Sequence, residues 1–316
     1  MIGKIDLVMW TKNGEKFLPF VLKRVDEVIP SENINKKILV DDHSTDGTVK
    51  IARDFNWTVY KNPASGIASG VEEALRHVVC EYFVSIEQDV LLAKDWWEKV
   101  PPYLEEKDVA CAQGIRISID PTLKALEEYA INERRTINVS IDNNIFKTKV
   151  IKALGNIPRG CPVCVDSAIM KKIIWSTPYK WITTSKVVSL HLSRDNILNY
   201  LRHYRKIARM CKKTIYCAVG GVGFSESLNP KFRKVVRILI TSPLRGLQLA
   251  VRKRNAHIFW TYPATRLYSF PENIKEWKKV MAISDTLTRK LPPITLKVQQ
   301  EDGIPLFIWQ REENGG

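Results

Sequence analysis

The apolar run Tyr82–Ile86 ends in Glu87-Gln88-Asp89, and the chain then turns apolar again toward Trp96 and Trp97. Leaving unpaired carboxylates at the end of a buried strand costs several kcal/mol or forces them to take up protons, so something positive is expected there. What that positive group is, these residues alone leave open. The competing reading is that the two acids cap a helix beginning at Leu91. Other polar residues also stand at the ends of apolar runs. Thr11 and Asn13 follow Ile5–Trp10, and Asp41-Asp42 follow Ile38–Val40. The small residues Ser65, Gly66, Ala68, Ser69 and Gly70 follow Trp57–Tyr60 and would let a bulky ligand lie close to the backbone. For Thr11 and Asn13, turn-making is an equal alternative to ligand contact.

These residues share a place only if the elements before them are parallel strands. Helical spacing over Phe17 to Ile29, a helix capped by Thr45 or Asp46 and running through Phe55, and a helix ending near Val79 separate four short strands. A β-α-β-α-β-α-β order implies a doubly wound, mostly parallel sheet, whose ligands bind beyond the carboxyl ends of the strands. Thr11, Asn13, Asp42, Gly66, Gly70, Glu87 and Asp89 should therefore rim one crevice.

The combination of VMWTKNGEKFL, ILVDDHSTDGT, the small-residue turn and FVSIEQDV resembles the family 2 glycosyltransferases over about Ile5 to His191. The resemblance implies the GT-A fold, an α/β Rossmann-like architecture, in an archaeal or bacterial protein with a basic C-terminal extension. It implies a nucleotide-sugar donor, UDP- or GDP-linked, and an inverting, metal-assisted transfer. It makes Asp89 the direct ligand of Mg²⁺ or Mn²⁺, with Glu87 nearer the ribose or the metal's waters, and Asp42 a reader of nucleobase or ribose. RGCPVCVDSAIMKKI resembles the segment carrying the catalytic base, which falls on Asp166, with Val165 where the family has Glu. VVSLHLS resembles the strand whose His closes the site, making His191 a metal or diphosphate ligand. Glu87 stands where Asp is usual, and Gly70 where many members have Asn. Asp142 is the rival base, and Asp166 as a helix cap is the plainer alternative. A lone His at a strand end is otherwise most often structural.

The chain has 316 residues and a net charge of +15. Residues 194–280 hold 19 Lys+Arg against 4 Asp+Glu, a balance of +15, so the remainder is neutral at 30 against 30. Such a block faces phosphates. Three basic amphipathic helices are expected there, from Ile197, from Lys231 to Ile240, and after Pro243, followed by Trp260, Tyr262, Tyr268, Phe270 and Trp277, which suit a headgroup-level belt. None is apolar enough to span a bilayer. The expected organisation is a catalytic domain over 1–193, with a nucleotide half to 98 and an acceptor half from 99, then a basic helical region over 194–316.

The first residues lack a secretory pattern, which points to a cytoplasmic protein, peripheral on the inner membrane face, acting on a glycan or lipid-linked acceptor. Six cysteines are too few for a disulfide scaffold, and Cys161 with Cys164 is the only close pair. Two other classes fit parts of the pattern. A sugar nucleotidyltransferase would want a Gly-rich, Arg-containing loop where WTKNGEKFL stands. A nucleic-acid-binding protein would explain the charge but leaves the acids unused, and no nucleic acid is expected as a partner.

Overall fold

The computed structural model describes residues 2–137, 139–155, 165–210, 232–267 and 294–312. Two compact units partition it: Met1–Arg116 with Val139–Leu192 and Pro292–Gly316, and Ile117–Asn138 with Ser193–Leu291. Cys161 and Cys164 lie outside the described residues, as do Tyr268, Phe270 and Trp277.

In the first unit, β1 (Ile5–Thr11), β2 (Ile34–Asp41), β3 (Thr58–Lys61) and β4 (Tyr82–Ile86) run parallel in the order β3-β2-β1-β4. The crossovers are α1 (Leu18–Val28), α2 (Thr48–Asp54) and α3 (Ile67–His77). β1 is buried over nearly all its length, as parallel strands covered on both faces must be. Leu18, Val21, Leu22, Val25 and Val28 form one stripe of α1 against that sheet. Each such side chain contributes about 1.5–3 kcal/mol by leaving water. The order places β1 beside β4 and reverses the winding there, so the ligand crevice of such folds lies at their carboxyl ends.

β4 then pairs antiparallel with β7 (Asn144–Lys147), and the sheet continues through β6 (Val109–Ser118) to β8 (Lys180–His191). The two-residue strand β5 (Val90–Leu91) pairs with the end of β8. The acids at 87 and 89 therefore do not cap a helix at Leu91. The next helical turn, α4 (Trp96–Lys99), begins five residues later, with Asp95 at its N-cap position.

The basic region expected to be helical over 194–316 also contains strands. β9 (Ile294–Glu301) and β10 (Ile304–Arg311) form a hairpin that extends the first unit's sheet, β10 lying against β8 and burying Phe307 and Trp309. Its turn is Asp302-Gly303, both at positive φ (53° and 77°). Asp-Gly between alternating apolar residues is the strongest short hairpin signal, here hidden behind the strongly basic stretch that precedes it.

The second unit is helical among its described residues, with α5 (Pro121–Asn132), α8 (Ile197–Met210), α9 (Phe232–Arg252) and α10 (Ile258–Leu267). α5 lies within the stretch 1–193 expected as one domain, and falls in this unit: Ala125, Leu126 and Tyr129 pack with Leu249, Ala250, Ile258 and Tyr262. The two helices expected on either side of Pro243 are one. Proline in a helix interior costs about 3 kcal/mol, which the burial of Leu249 and Ala250 offsets. Gly246 permits the close crossing, since a Cβ there would sit 2.9 Å from the Phe259 carbonyl oxygen.

Candidate active site

The carboxyl ends of β1 and β4 are stitched together by Gln88. Its side-chain carbonyl accepts from the Lys12 amide at 2.9 Å and from the Thr11 hydroxyl, and its amide donates to the Lys12 carbonyl at 3.2 Å. Thr11 is 3% exposed, so its hydroxyl serves this junction. Asn13 sits at φ 51° and ties two loops, its amide donating to Ser44 Oγ at 2.8 Å and its side chain accepting from the Thr45 amide at 2.9 Å. Both residues thus tie the end of β1 to segments distant in sequence.

Asp42 is placed differently. One carboxylate oxygen accepts from Asn62 Nδ2 at 2.9 Å and from the Gly66 amide at 3.2 Å, and the other lies 3.3 Å from Lys12 Nζ. Asn62 is itself 1% exposed and also donates to the Gly66 carbonyl, so the Asp42 carboxylate is held rigidly at the rim. Gly66 has φ 91°, a backbone conformation that favours glycine, and open space where a side chain would stand. Gly70 does not: a Cβ there would meet Trp10 Cβ at 3.0 Å, so this glycine admits the tryptophan.

Beyond β4 the acids converge on His191. Pairing of Val90 with His191 and a hydrogen bond from the Leu192 amide to the Asp89 carbonyl at 2.8 Å bring the end of β8 to Asp89. His191 Nδ1 lies 3.6 Å from Asp89 Oδ2, and its Nε2 lies 3.9 Å from Glu87 Oε2. Both separations exceed hydrogen-bond length. One ligand atom from each of Glu87, Asp89 and His191 falls within 4.8 Å of the others. Two carboxylates and one imidazole are a donor set suited to Mn²⁺ or Mg²⁺, so the residues present fit such an ion.

A residue the sequence reading missed completes this cluster. Arg116, on β6, makes a charge-assisted hydrogen bond to Glu87, and its Nη1 lies 3.5 Å from Asp142 Oδ2. A lone cation in VACAQGIRIS was the available signal. Asp142 is 5% exposed. Burial, and then the charge of Glu87, push its carboxyl well above the usual carboxylate range, against the pull of Arg116. Asp166 stands in the first turn of α7 (Val165–Ser176), half-buried. Its carboxylate accepts from the Ser167 amide at 2.7 Å. Burial raises it to about 6, against that hydrogen bond and the charge of Arg116, while the charge of Glu87 adds to the rise. A carboxyl poised near 6 is ionised at neutral pH and basic enough to take a proton.

The model of the family described as glycosyl transferase family 2 matches residues 6–175. No curated protein sequence matches the chain. Among solved structures, the mannosyltransferase PcManGT from Pyrobaculum calidifontis, in complex with GDP-Man and Mn2+, is 17% identical. The match covers 87% of each chain with a TM-score of 0.63. A mycobacterial protein is 12% identical, with 69% of this chain and 76% of that one covered and a TM-score of 0.50. S. aureus TarS 1-349, in complex with UDP-GlcNAc, is 14% identical, with 95% of each chain covered and a TM-score of 0.49. At such identities the first two speak for the fold, which is GT-A.

Proposed function

The chain belongs to glycosyl transferase family 2, and on that premise we propose that it moves a sugar from a UDP- or GDP-linked donor to an acceptor with inversion at the anomeric carbon. The observation that carries this reading is the convergence of Glu87, Asp89 and His191 at the end of β4, with Asp166 near enough to feel the charge of Glu87. The GDP-Man and Mn2+ held by the Pyrobaculum mannosyltransferase support the same donor class. The family assignment takes the place of the nucleotidyltransferase and nucleic-acid alternatives.

Asp89, His191 and Glu87 would hold Mn²⁺ or Mg²⁺. When bound, the ion supplies positive charge to the departing diphosphate. Asp42, fixed by Asn62 and the Gly66 amide, accepts hydrogen bonds from ribose or base, and the open space at Gly66 admits the nucleoside. Arg116 holds the Glu87 carboxylate in place through its charge-assisted hydrogen bond. Asp166 takes the proton of the acceptor hydroxyl as it attacks opposite the leaving group. The acceptor is a hydroxyl or phosphate-bearing compound, a lipid-linked glycan among them.

Incubating the protein with a panel of UDP- and GDP-sugars, with Mn²⁺ or with EDTA, tests this. We expect one donor to release its nucleoside diphosphate only with the metal, and the same donor to raise the melting temperature. A panel in which no donor is either cleaved or stabilising would contradict the reading.

A further inference from the structure

Helix α9 presents large apolar side chains to solvent as well as to its own core. Ile240, Leu244, Leu247 and Val251 are 63%, 67%, 52% and 73% exposed. Their spacing of i, i+4, i+7 and i+11 confines them to an arc of about 60° at 100° per residue. Ser242, Gly246, Leu249 and Ala250 are buried on the opposite side, where Leu249 and Ala250 join Tyr129, Ile258 and Tyr262 in the second unit's core. Trp260, at the start of α10, is 73% exposed. This apolar stripe sits in unusually one-sided charge. Residues 232–267 contain eight Lys and Arg (Arg233, Lys234, Arg237, Arg245, Arg252, Lys253, Arg254 and Arg266) and no Asp or Glu. Of these, Arg245, Arg252, Lys253, Arg254 and Arg266 are exposed in the structure.

We propose that this face of α9, with Trp260, is a docking surface for an anionic lipid bilayer, the apolar stripe entering the interface and the cations meeting lipid phosphates. The charge selects that occupant. An apolar stripe alone would suit a second copy of the chain equally. Arg252 pairs with Glu133, but two copies would still bring Arg245, Lys253, Arg254 and Arg266 of each together, whereas anionic headgroups neutralise them. Stripes of this breadth with a basic flank lie in the plane of the headgroup boundary. The helix does not cross: no described helix is long and apolar enough to span a membrane. The inference stands on the helix alone and does not depend on the transfer reaction.

The full chain should co-sediment with vesicles of phosphatidylglycerol and phosphatidylcholine and not with phosphatidylcholine alone, and less as salt rises, because exposed charges are screened beyond roughly 8 Å at physiological ionic strength. Replacing Leu244, Leu247 and Val251 together by Gln should weaken binding at least tenfold with an unchanged melting temperature, since all three are exposed in the unbound protein. Arg245→Gln with Lys253→Gln should reduce binding to anionic vesicles as well. A second readout does not depend on that triple variant folding: brominated lipid should quench part of the tryptophan emission, and Trp260→Tyr should remove that part. Three results would each overturn the proposal. They are equal recovery with neutral vesicles, no recovery with either kind, and a wild-type dimer that the triple variant converts to monomer without any change in vesicle binding.

Discussion

Replacing Asp166 by Asn is expected to slow sugar transfer by about 10²–10⁴-fold, the usual contribution of a positioned general base, while donor and metal affinity stay near those of the unaltered protein. An acceptor hydroxyl must lose its proton as it bonds to the anomeric carbon, and an amide cannot accept it. Asp166 is isosteric with Asn and sits in the first turn of α7, so the change preserves helix and packing. The pH profile carries the same claim. With the carboxyl raised to about 6 by burial, kcat/KM should fall on the acid side of an inflection at or below that value. A bound cation moves the inflection downward, because nearby positive charge favours the carboxylate. The Asn variant should lose that inflection. Asp142→Asn, at the rival acid, should be milder and keep it. Transfer by the Asp166 variant at a near-normal rate, or a product retaining the donor's anomeric configuration, would show that another group takes the proton.

The second large effect concerns Arg116, which stands between Glu87 and Asp142. Arg116→Met should lower stability by up to about 3 kcal/mol, toward the lower end of what breaking a buried pair costs, because Glu87 remains partly in contact with water. Two carboxylates would then face one another with no guanidinium between them. The loss should shrink on acidification. The Asp142 carboxyl is already raised in the native state, so folding holds its proton more tightly than the unfolded chain does and stability rises as pH falls. Without Arg116 that slope should steepen. Arg116→Met with Asp142→Asn should recover most of the loss at neutral pH in urea denaturation. A single variant as stable as the unaltered protein, or a double variant no better than the single, would mean that the three groups are not coupled.

The first four strands were legible because each is a short apolar run closed by polar or small residues. Ile38–Val40 before Asp41-Asp42 and Tyr82–Ile86 before Glu87 are of this kind. Each lies next to a helix with 3.6-residue periodicity, and together they dictate parallel strands whose ends share a rim. What each rim residue does there was less legible. Thr11 and Gly70 stand at the expected place, yet one is tied to Gln88 and the other lies under Trp10. Neither partner is local in sequence. Arg116 escaped for the same reason: its meaning depends on β6 and β7 pairing, which brings it to Glu87 and Asp142 across 29 and 26 residues of chain. The hairpin Ile294–Arg311 carried its own signal in Asp302-Gly303, but a basic block upstream suggested continued helix. Helix α5 falls within the expected 1–193 domain, whereas Leu126 and Tyr129 pack it in the second unit.

The central claim is that the cluster at the end of β4 makes nucleoside-diphosphate binding depend on a divalent ion. Calorimetric titration of UDP and GDP into the protein, with Mn²⁺ and with EDTA, tests it most directly when repeated on Asp89→Asn. The account predicts that one nucleotide binds the unaltered protein at least tenfold more tightly with Mn²⁺, and that the variant, folded and with the same melting temperature, loses this difference. Equal metal-dependent affinity in the two proteins would contradict it.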